Sequence, residues 1–270
     1  YALQQAALNS DNSPEQVTKD FIAEHYGPAA VEHLLPAFST IGKAIQGSLY
    51  TLGLPVSSHS RLDMENDGAY QRHVSGKWLD PPTVHLDVGL DTTLHYWSDI
   101  VEHLSPYWYK DPATAHQLGV ESKWVFENDW LTPEEQFNRS YYHLILQEKA
   151  EARRIADEAL DQVRKAIPLA KKGALLDSTL HVFERTAMTV SMYEHLATAY
   201  WSYRLWTVTE SDESKAELKQ RALAALEELD QELRAMATYP HTGAKAQYDW
   251  RKDIARAVLF SSALKGCVVN

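Results

Sequence analysis

His59, Arg61, Asp63, Glu65, Asp67, Arg72, His73, Trp78, Asp80, His85, Asp87 and Asp91 fall in one short window of the chain. Such a density of charged, imidazole and aromatic groups suits a polar ligand. Sugars are bound by stacking on aromatic rings plus hydrogen bonds from charged and amide side chains, and Trp78, Tyr70 and Trp97 supply candidate rings. His59, Arg61, Asp63, His73 and Trp78 are therefore the candidate substrate-binding residues. Arg61 has the planar fork that pairs bidentately with a carboxylate or sulfate, while Trp78 offers a flat face to a pyranose. The competing reading is a solvated connector whose histidines and carboxylates satisfy one another and nearby helix ends.

Other chemistries are less well served. Asp63-Met64-Glu65-Asn66-Asp67-Gly68 opens like a helix-loop-helix calcium site, but the twelfth position, which needs a bidentate Glu, is Val74. His59, His73 and His85 are spaced too widely for a zinc-binding helical pair. No metal is expected. A two-carboxylate hydrolytic site requires one protonated and one ionised carboxyl group, and nothing in the spacing singles out such a pair, so the catalytic residues are unknown. Ser57, Ser58 and His59 lack a glycine-framed nucleophile elbow, and Cys267 has no basic neighbour to activate it. Without a Walker loop or a glycine fingerprint between strand and helix, no nucleotide or other cofactor is expected.

The chain's 270 residues are 44% hydrophobic, enough to bury a core, with a formal net charge of -11. Lys and Arg are scattered, which argues against nucleic acid and against an anionic membrane surface as partners. No stretch approaches the roughly 20 apolar residues that a bilayer crossing needs. The lone cysteine excludes an internal disulfide and fits an oxidising periplasm or a reducing cytoplasm equally well.

Helical elements must position these groups. Ser13-Pro14-Glu15-Gln16 predicts a helix start with a capping box, ended at Gly27-Pro28. From Val31, Leu34, Leu35, Phe38, Ile41, Ile45 and Leu49 recur on one helical face, with a bend expected at Pro36 and a stop at Gly53-Leu54-Pro55. Residues 54 to 92 carry no helical period and read as one long irregular loop, a length usually tied to function or disorder. A short helix follows over Thr92 to Leu104. Thr132-Pro133-Glu134-Glu135 caps a helix of about nine turns whose apolar stripe is Phe137, Tyr141, Leu144, Ala152, Ile155, Ala159, Val163 and Ala166.

Leu175 to Trp206 is apolar on most sides and should be the central helix. Asp212 to Met236 is amphipathic, and a last helix runs from about Ala244 to Leu264. The fold class is all-α, an irregular bundle of long amphipathic helices forming a single domain over 1–270. Leu35, Phe38, Leu144, Ile155, Phe183, Val190 and Leu196 are expected to be inaccessible. The aromatic groups Tyr200-Trp201-Ser202-Tyr203-Arg204-Leu205-Trp206 and Trp124, Phe126 and Trp130 read as core packing rather than as a sugar platform.

Tyr1-Ala2, Ser13-Pro14-Glu15-Gln16, Phe21-Ile22, Tyr26-Gly27 and Leu52-Gly53-Leu54-Pro55 before a His-containing loop resemble the helical C-terminal domain of α-glucuronidase-type glycoside hydrolases. Trp124 to Val163, with Tyr141-Tyr142 and Gln147, is similar to later helices of that domain; together the two regions cover about half the chain. The resemblance implies a catalytic (β/α) barrel preceding this chain, on which the helices pack, with a carbohydrate substrate and a homodimer interface. The opening Tyr1-Ala2-Leu3-Gln4-Gln5, without an initiator methionine, fits that expectation. The loop after Pro55 departs from the family in its His and Gly arrangement, so a uronic-acid or other acidic polysaccharide is the expected substrate class. Two alternatives stand beside it, a non-catalytic helical glycan-binding or scaffold module and a self-contained helical enzyme.

Overall fold

A computed structural model of the chain describes residues 13–51, 54–55, 57–58, 61–62, 139–171, 175–240 and 250–269. Among these residues the fold is all-α. The helices are α1 (Pro14–His25), α2 (Val31–Leu49), α3 (Arg139–Ala166), α4 (Leu175–Val208), α5 (Asp212–Thr238) and α6 (Trp250–Val269), with 3-10 turns at Pro28–Ala30 and Ile167–Leu169. The first residues of the expected 54–92 loop are not wholly irregular. β1 (Tyr50–Thr51) pairs antiparallel with β2 (Leu54–Pro55), and β3 (Ser57–Ser58) with β4 (Arg61–Leu62), each a ladder of two residue pairs. The expected helix over Thr92 to Leu104, the cap at Thr132–Glu135 and the Trp124 cluster lie outside the described residues.

The chain divides into two compact units, Tyr1–Gly47 with Ala150–Ser191, and Ser48–Lys149 with Met192–Asn270. In the first unit, α1 begins as its sequence predicts: Ser13 Oγ accepts from the Gln16 backbone N–H at 3.1 Å, and Pro14 occupies the first turn. Only half of the expected capping box is seen, because the Gln16 amide donates to Asp20 Oδ1 at 2.7 Å. The helix ends on Gly27, with φ 102° and ψ 152°. Lys171 then closes the exposed carbonyl end of α1: its backbone N–H donates to Tyr26 O at 2.8 Å and its ammonium donates to Glu24 O.

A Cβ on Gly27 would meet the Lys171 backbone N at 3.5 Å, an ordinary contact, so space does not restrict this position. Its backbone conformation does. Gly27→Ala should therefore lower the stability of the first unit by about 1–3 kcal/mol, the cost of forcing a side chain into a glycine-only region. A urea melt of the variant checks this; an unchanged midpoint would mean that the turn relaxes without loss.

The core of this unit joins Ile22, Tyr26, Leu34 and Ala37 to Ala152, Ala156, Ala159, Val163, Phe183, Ala187 and Val190. Alanines dominate the α3 face, which lets the helix axis come close to its neighbours. The ring of Phe38 lies against those of Phe183 and Tyr26, at centroid distances of 5.7 and 6.1 Å. α2 continues through Pro36, and Thr40 Oγ1 donates back to the Pro36 carbonyl at 2.8 Å.

Two sequence expectations require correction. The buried face of α3 is Tyr142, Ile145, Lys149, Ala152, Ala156, Ala159, Leu160, Val163 and Ala166, so Leu144 and Ile155 flank it and stay half-buried. Leu35 and Phe38 are likewise half-buried at the edge of the core, whereas Phe183, Val190 and Leu196 are buried as expected. The reason is geometric: apolar residues at adjacent steps widen a stripe beyond the line of closest approach, and only its centre is sealed. The last helix also ends later than expected, at Val269, because Gly266 within it is too weak a breaker to stop a helix whose Leu264 and Val268 are buried.

In the second unit, α5 and α6 pack against each other. α5 buries Leu218, Ala222, Ala225, Leu226, Leu229, Leu233 and Met236 on one face, and α6 buries Ala257, Phe260, Leu264 and Val268. The α4 segment of this unit is sealed nearly all round, with Met192, Leu196, Ala199, Tyr200, Trp201 and Ser202 all fully buried. Tyr200 stands edge-on to Trp201 at 4.9 Å and lies 6.0 Å from Phe260. The expected core role of Tyr200 and Trp201 holds; Tyr203 and Trp206 are half-buried.

Candidate functional site

Of the five candidate substrate-binding residues, His59, Asp63, His73 and Trp78 lie outside the described residues. Arg61 is placed by its backbone in β4, paired across the ladder with Ser58. The ladder puts Arg61 on extended backbone, where successive side chains alternate between faces.

Several of the described polar groups form small partnered sets. In the first unit, Tyr26 Oη bonds Thr179 Oγ1 at 2.8 Å, His33 Nδ1 bonds Gln162 Oε1 at 2.8 Å, and Glu184 lies 3.3 Å from Arg164 and 3.5 Å from His181. The outward face of α3 carries a run of ion pairs in which Arg154 is clasped by Glu151 and Glu158. Hydrogen bonds from Arg154 hold the Glu151 carboxyl below the ordinary range and raise the Arg154 guanidinium further. These pairs are on the water-exposed side and organise the helix surface more than they stabilise it.

In the second unit, Ser261 Oγ donates to Asp230 Oδ1 at 2.9 Å, and the Lys265 ammonium donates to Asp230 Oδ2. Burial pushes the Asp230 carboxyl up, but the hydrogen bonds from Lys265 and Ser261 outweigh it, and the group sits below the ordinary carboxylate value. A carboxylate held ionised in this way suits pairing of α5 with α6 and does not suit proton donation. Its contribution to stability is present above pH 3.8 and is lost as pH falls through the lower folded value. Ser261, itself buried, spends its hydroxyl proton on that carboxylate. Tyr142 Oη bonds the buried Ser202 Oγ at 3.1 Å while the Arg221 guanidinium lies over its ring at 5.8 Å. His195 Nδ1 lies 3.3 Å from Glu228 across α4 and α5.

Lys149 is the least expected of these residues. Its side chain is 1% exposed, and its ammonium donates to Glu148 Oε1 at 2.8 Å, where Glu148 keeps 26% of its side chain in contact with water. Burial lowers the amine's pKa from the ordinary lysine value of 10.5, partly offset by the attraction of Glu148. A sequence signal for it existed: Lys149 falls in register with Tyr142, Ile145, Ala152 and Ala156, at the three and four residue steps of the buried stripe.

Among the described residues, no group of three or more His, Cys, Asp or Glu is arranged to hold a metal ion, and no helix is long and apolar enough to cross a membrane. Cys267 is half-buried in α6. Comparison of the chain with protein-family models, with curated proteins and with solved structures found no match.

Proposed function

We propose that this chain is the helical C-terminal domain of a glycoside hydrolase acting on a uronic-acid or other acidic polysaccharide. In this reading the helices pack on a catalytic barrel domain of the same protein and form a homodimer contact, while the segment from His59 to Asp91 touches substrate. The observation that carries it is the concentration of His, Arg, carboxylate and Trp side chains in that segment. It follows on a helical scaffold in which Tyr26, His33, Tyr142 and Asp230 bond to groups of the scaffold itself. The resemblance of the residues around Ser13, Tyr26 and Leu52 to the α-glucuronidase-type helical domain supplies the family.

Titration calorimetry with uronic acid-capped and neutral oligosaccharides of equal length tests this. The acidic ligand should bind more tightly. Arg61→Glu should weaken the acidic ligand by about tenfold or more, the scale of a lost charge-assisted hydrogen bond of roughly 1.5–3 kcal/mol, and leave the neutral one nearly unchanged. Trp78→Ala should weaken both, since ring stacking ignores ligand charge. If both folded variants keep the parent affinities for both ligands, the segment is a solvated connector and the proposal fails.

A further inference from the structure

We draw no further inference here: the strongest candidate, the half-buried ring pair of Tyr203 and Trp206 near the end of α4 with the Lys219 ammonium of α5 over the indole, is a surface patch of the second unit, and nothing in the structure shows what covers it.

Discussion

Trp201→Ala should destabilise the protein by about 3–5 kcal/mol, among the largest losses any single truncation here can cause. The indole is fully buried, stands edge-on to Tyr200, and is the largest fully buried side chain of the second unit's core. Removing it gives up the transfer free energy of a large ring and leaves a cavity that the neighbouring helices can collapse into only in part. Natural domains hold roughly 5–15 kcal/mol of net stability, so the loss consumes a large share of the total. Val182→Ala is the matched control. Val182 is 60% exposed, and its truncation should move the unfolding midpoint by no more than about 0.5 kcal/mol. Urea unfolding followed by far-ultraviolet circular dichroism measures both. A Trp201→Ala midpoint as close to the parent as that of Val182→Ala would place the indole at the surface and overturn the helix faces described above.

Glu148→Gln should cost about 3 kcal/mol at neutral pH, because it removes the carboxylate that accepts from the buried Lys149 ammonium. Gln and Glu have similar helix propensities, so the backbone of α3 contributes little to the difference. The pH dependence identifies the cause. The folded amine titrates below the ordinary value of 10.5, so over that interval the unfolded chain binds the extra proton and stability rises with pH. Removing the carboxylate lowers the folded value further, widens the interval and enlarges the total rise. The deficit of Glu148→Gln should therefore shrink as pH climbs from 7 toward 10.5, where both states release the proton. Lys149→Met in the Glu148→Gln background should recover most of the loss, since it removes the charge and keeps the volume. A deficit that is constant with pH would show that Glu148 acts through packing and not through its charge.

The helices were legible in the sequence because their signals are local. The cap at Ser13, the stop at Gly27, the start of α4 at Leu175 and the leucine face of α5 each follow from a few neighbouring residues, and each is where the pattern puts it. Depth was legible only in part. Leu144, Ile155, Leu35 and Phe38 are apolar and correctly periodic, yet how deep each lies depends on the neighbouring helix, which periodicity does not contain. Lys149 shows the same gap from the other side: hydropathy assigns a lysine to the wet face, and only its register with Tyr142 and Ala152 points inward. Asp230, Ser261 and Lys265 could not be joined from sequence, since the pair spans two helices and more than thirty residues; the bond from Ser261 to Asp230 covers a separation of 31. Of the candidate ligand residues, the structure places only the backbone of Arg61, so the case for His59, Asp63, His73 and Trp78 rests on their chemistry and their proximity in the chain.

The direction in which the described carboxylates are shifted bears on activity. Proton donation to a glycosidic oxygen needs a carboxyl group held neutral, opposite a second one held ionised. Asp230 is pushed the wrong way for the first role, and the Glu151 carboxyl is pushed the same way by Arg154. Neither of these two carboxylates suits the acid role, and the proposed resemblance leaves bond cleavage to the barrel and ligand contact to this chain. One nuclear magnetic resonance time course on the purified chain with a uronic acid-capped oligosaccharide reports on both at once. The account predicts that the ligand's anomeric signals broaden and shift on addition of the chain while no reducing-end product accumulates. Steady release of product, with the ligand consumed over repeated turnovers, would contradict it and identify this chain as a complete helical enzyme.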